Sequence, residues 1–205
     1  MFQPRPMRIL LVTALAGVIC AVPASAASIS KTYAYFSVRG RTAEQLERDL
    51  AKQGPRVGNS LLGHPGAAEL RFTGKVDYTA SDDRCRVKSA SFHVRAKISL
   101  PRWHDRKRSN RDLVFVWDTL ARDIKRHEEQ HVIIAKRHAH EIEQAIMALP
   151  AARDCKVLEA KAGKITDEIL EKHDRAQAQF DRVEALGYEN RLQRLLRYYA
   201  EQQGR

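Results

Sequence analysis

Between residues 89 and 100 apolar and polar side chains alternate, with Ala90, Phe92, Val94, Ala96, Ile98 and Leu100 on one side and Ser91, His93, Arg95 and Lys97 on the other. A period of two means a strand with one face on a core and one in solvent. Residues 68–78 alternate in the same way, and Asp82-Asp83 and their neighbours supply a turn, so the two runs are expected to pair as an antiparallel sheet. Upstream, residues 32–38 are rich in aromatic and β-branched side chains and read as a further strand ended by Gly40. Thr42 offers an N-cap with Gln45 three residues later, which starts a short helix through about Gln53, and Gly54-Pro55 stops it. Gly54, Gly58, Gly63 and Gly66 then mark a connection. It lacks the lysine and spacing of a phosphate-binding loop and reads as flexible linkage or as the rim of a cleft.

From residue 112 the period changes. Trp117, Leu120, Ile124, His127, His131, Ile134, His138 and Ile142 recur at threes and fours, and neither Pro nor Gly interrupts until Pro150, so residues 112–149 read as one long helix. After a turn at Pro150 and Asp154, residues 157–186 carry a second stripe of Leu158, Ile165, Ile169, His173, Ala176, Phe180 and Val183. The two helices are expected to form a hairpin. Residues 188–203 set Leu192, Leu195, Leu196 and Tyr199 among arginines, the pattern of a last helix packed on the core, with docking on a membrane surface as the alternative. The expected class is α+β: an N-terminal antiparallel sheet with one short helix, a long helical hairpin and a C-terminal helix.

The first 26 residues read as an export signal. Arg5 and Arg8 precede an apolar run over residues 9–22, too short to span a bilayer, and Ala24-Ser25-Ala26 is a small-residue cleavage site. Cleavage leaves residues 27–205 as one domain, with Cys85 and Cys155 as its cysteines. In an exported chain two such cysteines are most simply a disulfide closing a loop of about 70 residues. The expected location is periplasmic or secreted, without a transmembrane segment after cleavage. The net charge of +11 falls to a surplus of about nine once Arg5 and Arg8 are removed. The run Arg102-Trp103-His104-Asp105-Arg106-Lys107-Arg108 concentrates part of it. In an exported protein this suggests anionic envelope polymers or lipid head groups before any specific nucleic acid, and a solvated loop is the plain alternative.

Three histidines on the core-facing stripe of a helix need partners, because a buried imidazole without one is costly. His127-Glu128-Glu129-Gln130-His131 supplies the reason. Histidines four apart are rotated by only about 40° on a helix of 3.6 residues per turn, so both imidazoles can grip one zinc ion. Glu128 beside them can take a proton from a water whose pKa such a metal lowers from about 16 to roughly 7. The alternative is a helix whose histidines merely hydrogen-bond in the core. His138 lies about 16 Å along the helix from His127, too far for the same ion, and fits a packing role; His140 lies off the stripe and is expected in solvent. A third ligand is needed. Arg137 stands where the longer metzincin pattern requires a histidine, so the ligand must come from elsewhere, most plausibly the second helix. Equal rise on both arms of a straight hairpin sets Glu171, His173 or Asp174 level with the histidine pair, and Asp181 about 11 Å away.

The chain resembles a bacterial family of secreted zinc-dependent proteases known mainly as a domain of unknown function. The likeness rests on Thr32-Tyr33-Ala34-Tyr35 leading to Gly40-Arg41-Thr42, on Gly54-Pro55, on a sheet with Cys85, and on Arg126-His127-Glu128-Glu129-Gln130-His131. It continues through Cys155 and Phe180-Asp181-Arg182-Val183-Glu184. It covers nearly all of the chain after the leader. The resemblance implies a zincin-like protease domain over residues 27–205, an export signal, a disulfide, and one Zn2+ held by His127 and His131 with Glu128 as base. Relatives carry a histidine where this chain has Leu186, which removes one candidate and favours an acid, Asp181 before Glu184, with His173 as the hairpin's alternative.

The resulting expectation is an exported zinc metallopeptidase acting on peptide or protein substrates of the cell envelope. Two alternatives stand beside it: a non-catalytic envelope protein that binds zinc or an anionic polymer, and a zinc amidase acting on cell wall. His64, His93, His104, Tyr188 and Tyr198 are candidates to stabilise the oxyanion.

Overall fold

The computed structural model describes residues 27–56, 63–81, 83–202 and 204; the expected leader, Gly58 and Asp82 lie outside them. The elements follow in the order β1 (Ser28–Val38), α1 (Ala43–Gln53), β2 (Ala67–Ser81), β3 (Arg84–Trp103), a 3-10 turn at Arg106–Arg108, α2 (Arg111–Met147) and α3 (Cys155–Gln202). The class is α+β, as the alternation followed by helical periodicity implies.

The sheet has the order β1-β3-β2. β2 and β3 form the expected antiparallel hairpin, from Ala67 opposite Ser99 to Ser81 opposite Arg84. β1 instead joins β3 in parallel, from Ser28 opposite His93 to Val38 opposite Trp103, so the sheet is mixed rather than wholly antiparallel. Alternation fixes which face of a strand is buried but not the direction of its neighbour. Here the connection through α1 carries the chain across β3 to the opposite edge.

The inner face of β3 is the floor of the core. Val94, Ala96 and Ile98 are fully buried beneath α2, whose Val132, Ala135, Ala139, Ile142 and Ile146 lie on top. At the far end Trp103 and Trp117 pack at 5.6 Å between ring centroids beside Val38 and Leu46, which anchors α1. The basic run at 102–108 is therefore not one solvated loop. Trp103 is core and donates its indole N–H to the Gly40 carbonyl at 2.9 Å, and Arg106 forks onto Asp118. α1 is capped as expected, Thr42 accepting from the Gln45 N–H and Gln45 reaching back to the Arg41 N–H.

The hairpin register departs from equal rise. Lys172 meets Glu141, His173 meets His138, Gln177 meets His131 and Glu184 meets Arg126. Carried upward, this pairing leaves about the first two turns of α3 beyond the end of α2. The cause lies in the connection. Ala152 exchanges two backbone hydrogen bonds with Cys85, and Cys155 is disulfide-bonded to the same residue, so α3 starts only after the chain has reached the start of β3. α3 then runs through Gly187 to Gln202 without a break, and the separate C-terminal helix expected from residue 188 is its last part. A lone glycine costs a helix only about 1 kcal/mol relative to alanine, and no proline lies between Cys155 and Gln202. Among the described residues no helix is long and apolar enough to cross a membrane.

Candidate metal centre

One turn of α2 presents His127 and His131 side by side, with 3.1 Å between their Nε2 atoms. Asp181 of α3 completes a triangle, its Oδ1 lying 3.3 Å from His127 Nε2 and 3.1 Å from His131 Nε2. Donor atoms about 2.0–2.1 Å from a tetrahedral zinc stand about 3.3 Å from one another, so these three sides fit that ion and the donor set is of the type zinc takes. Among the described residues no other three His, Cys, Asp or Glu side chains converge in this way. Phe180, one position before Asp181, stacks on His127 at 4.8 Å and meets the His131 ring edge-on at 5.2 Å.

The opposite nitrogens are held as well. His131 Nδ1 donates to Oε1 of Gln177 at 2.6 Å, since an amide oxygen can only accept, which leaves the Nε2 lone pair free to ligate. The Gln177 amide nitrogen donates in turn to the His131 carbonyl at 3.0 Å and to His173 Nε2 at 2.8 Å. His127 Nδ1 lies 3.6 Å from Glu184. Burial and the neighbouring His131 hold the His127 imidazole below its ordinary pKa, against the pull of Asp181 and Glu184, which favours the neutral ring a metal needs. Burial alone would raise the Glu184 carboxyl, but the Arg126 hydrogen bond and the Arg126 and Arg191 charges outweigh it and keep it ionised. Glu184 is thus occupied by two guanidinium groups and stands 3.6 Å from His127 Nδ1 instead of joining the triangle.

Glu128, the residue after His127, lines the same cleft as the triangle and is only 5% exposed. Burial, reinforced by the charge of Asp181, pushes its carboxyl up to about 7. Gly66, just before β2, passes directly over it. A Cβ there would lie 2.8 Å from Glu128 Oε1 and 2.8 Å from Ile124 Cγ2, so only glycine lets the chain approach the helix this closely. The start of β2, α2 and α3 enclose a cleft of about 690 Å³, lined by His64, Gly66, Glu128, the triangle, Tyr188 and Arg191 among others. Its far wall is ionic: buried Asp123 accepts from Arg126 at 2.9 Å and from Arg191 at 3.2 Å.

Several sequence candidates stand outside the triangle. His173 is buried edge-on against Phe72, with Nδ1 to Asp174, so the hairpin's alternative ligand is a packing residue. His138 donates to the Ile134 carbonyl and packs on His173, as its distance from His127 suggested. His140, expected in solvent, is half-buried against Glu143. Of the oxyanion candidates, His64 and Tyr188 line the cleft. His93 is pinned between Ser28 and Ser30, His104 contacts Asp105, and Tyr198 packs on Tyr199. Reading the periodicity missed Gln177 and the Asp123, Arg126 and Arg191 network, whereas Gly66, read as part of a linkage or cleft rim, lines the cleft. A signal for the missed residues of α3 exists: Gln177, Asp181, Glu184, Tyr188 and Arg191 recur at fours and threes, the first three standing one position beyond Ala176, Phe180 and Val183 of the apolar stripe.

The fold and site define an α+β protein in which a His-Glu-x-x-His helix and an acid from the returning helix meet beside a sheet edge. The family model described as "Bacterial protein of unknown function (DUF922)" matches residues 33–188, and the chain belongs to that family. No curated protein and no solved structure matches it significantly.

Proposed function

We propose that the protein is an exported zinc-dependent hydrolase of peptide bonds, with His127, His131 and Asp181 as ligands and Glu128 as the general base. The observation that carries this reading is the triangle of donor atoms at 3.1, 3.1 and 3.3 Å beside a buried carboxyl held near neutrality. Zinc bound there supplies a Lewis acid that polarises a scissile carbonyl and acidifies the attacking water. Glu128 accepts the proton of that water and returns it to the leaving amine, a task suited to an acid poised near the working pH. Gln177 holds the His131 imidazole in the tautomer that bares Nε2, and the Glu184 charge near His127 Nδ1 favours the same tautomer there. His64 and Tyr188 are placed on the cleft wall to steady the developing oxyanion, and burial keeps the Tyr188 phenol protonated by raising its pKa. β2 is an edge strand, and its first residues face the cleft, so an extended peptide backbone can lie along its free edge. The disulfide between Cys85 and Cys155 supports an oxidising compartment, periplasmic or secreted.

Replacement of Glu128 by Gln tests the reading. The variant is expected to fold, to hold one equivalent of zinc and to lose hydrolysis of a peptide library by about 100-fold or more. Unchanged hydrolysis in Glu128→Gln, or a zinc-loaded wild type that cleaves no peptide, would overturn it. In the second case a binding protein or a cell-wall amidase becomes the better account, and release of soluble fragments from purified cell wall separates those two.

A further inference from the structure

The positive surplus of this chain is not spread evenly. Residues 109–205, which include both long helices, carry 17 Lys and Arg against 17 Asp and Glu, whereas residues 67–108 carry eleven against five. Among them Arg71, Lys75, Arg95 and Lys97 alternate with the buried residues of β2 and β3 and project from the face turned away from the helices. Arg71 stands directly opposite Arg95, and Lys97 follows two positions along β3. Lys97 is paired with Glu69 and Lys75 with Asp77, but among the described residues Arg71, Arg95, Arg86 and Lys88 have no carboxylate within 4 Å. All four are exposed. Like charges directly opposite one another destabilise a strand pair, so Arg71 and Arg95 weaken the sheet that carries them.

We propose that this outer face binds a linear, phosphate-bearing polyanion. Strands about 4.8 Å apart and like-facing residues about 6.8 Å apart along each strand set Arg71, Arg95 and Lys97 in a repeating array, with Arg86 and Lys88 beyond a register shift at Asp77 and Tyr78, and such a spread matches an extended chain of anions better than a single compact one. Guanidinium groups favour phosphate through paired N–H donors. The hydroxyls between them are already engaged, Ser28 and Ser30 with His93 and Thr73 with the His93 carbonyl, which keeps the face rigid. Ser28, Ser30, Thr32 and Thr73 offer no apolar side chain to enter a bilayer, so the polymer is favoured over a membrane. The surface meets the cleft at Glu69, the partner of Lys97, and the inference does not rest on the hydrolase reading.

The test measures binding of the protein to long-chain linear polyphosphate across a salt series. Wild type is expected to bind with an affinity that falls steeply with salt. Arg71→Ser with Arg95→Ser should weaken binding at least about tenfold and lower the salt slope by roughly 1 to 2. The same double variant should melt at an equal or slightly higher temperature at low salt, because the opposed charges are gone. Arg86→Ser with Lys88→Ser should weaken binding in the same direction, whereas Lys107→Ser with Arg108→Ser, beyond β3, should change it less than about twofold. Full affinity in the Arg71/Arg95 variant, loss confined to the Lys107/Arg108 variant, or capture by anionic phospholipid vesicles with none by polyphosphate would each overturn the proposal.

Discussion

The two halves of the α2–α3 hairpin are built from opposite materials. Toward the disulfide, Ala135, Ala139, Ile142 and Ile146 meet Ala162 and Ile169 over Phe92 and Val94, a dry and closely packed layer. Toward the cleft, the same two helices meet through His127, His131 and Asp123 on one side and Gln177, Asp181, Glu184 and Arg191 on the other. The first half gains stability from apolar burial. The second places Asp123, Glu184 and Arg191 where solvent is scarce, beside an exposed Asp181, a cost of a kind tolerated where it serves chemistry. Even the dry half holds one carboxylate: Glu143 is buried and accepts the Phe92 N–H at 2.7 Å, just beyond the point where β1 begins to pair with β3.

This contrast can be sharpened by perturbing each half in turn. The largest stability effect is expected at the dry end. Cys85→Ser with Cys155→Ser should cost about 4 kcal/mol in the chain-entropy account of a loop this long, seen as a lower denaturation midpoint, while the folded variant keeps its zinc affinity. Ile142→Ala, fully buried in the same layer, should cost roughly 2–5 kcal/mol by urea titration.

At the cleft end the sign reverses. Glu128 titrates near 7 in the folded metal-free protein, against 4.5 as the ordinary value taken for the unfolded chain. The folded state therefore holds more protons between those values, and its stability falls as pH rises through that window. Glu128→Gln should remove the fall. Metal-free protein carrying it should gain up to about 3 kcal/mol at pH 8 and almost nothing at pH 4, checked by denaturation at both pH values. A variant no more stable than wild type at pH 8 would contradict the strained environment described for this carboxyl.

Gln177→Leu should leave the fold standing but lower zinc affinity about 10- to 100-fold, because His131 loses the acceptor that fixes its tautomer; competition with a chelator measures this. Smallest of all, Glu141→Gln removes only an exposed pairing with Lys172 and should shift stability by less than about 1 kcal/mol.

The parts legible in the sequence are those with a strict period or a local cap. β3 alternates because one face is buried, and α1 starts at Thr42 because that side chain can cap it. The long helix was legible too, and Trp117, Ile124, Ile134, His138 and Ile142 of the drawn stripe are buried, but a second buried line beside it was not drawn. Glu128, Val132, Ala135 and Ala139 face the sheet, while His127 and His131 sit at the flank that faces α3. A helix packed on two partners has two stripes, and a single 3.6-residue period does not say which partner each stripe meets. Register was illegible for a related reason. Equal rise assumes a tight turn, whereas the backbone pairing of Ala152 with Cys85 lengthens the connection and slides α3 until Asp181, not His173, reaches the histidines. Gly66 was legible as part of a cleft rim, but its contact with the helix was not, because the demand for glycine comes from Glu128 and Ile124, far away in sequence.

The most direct test is zinc analysis of the purified wild type after dialysis, beside His127→Ala, His131→Ala and Asp181→Ala. The account predicts one zinc per wild-type chain and a loss of at least about tenfold in affinity from each substitution, with the fold retained. A wild type that binds no more zinc than the His127→Ala, His131→Ala double variant would contradict it.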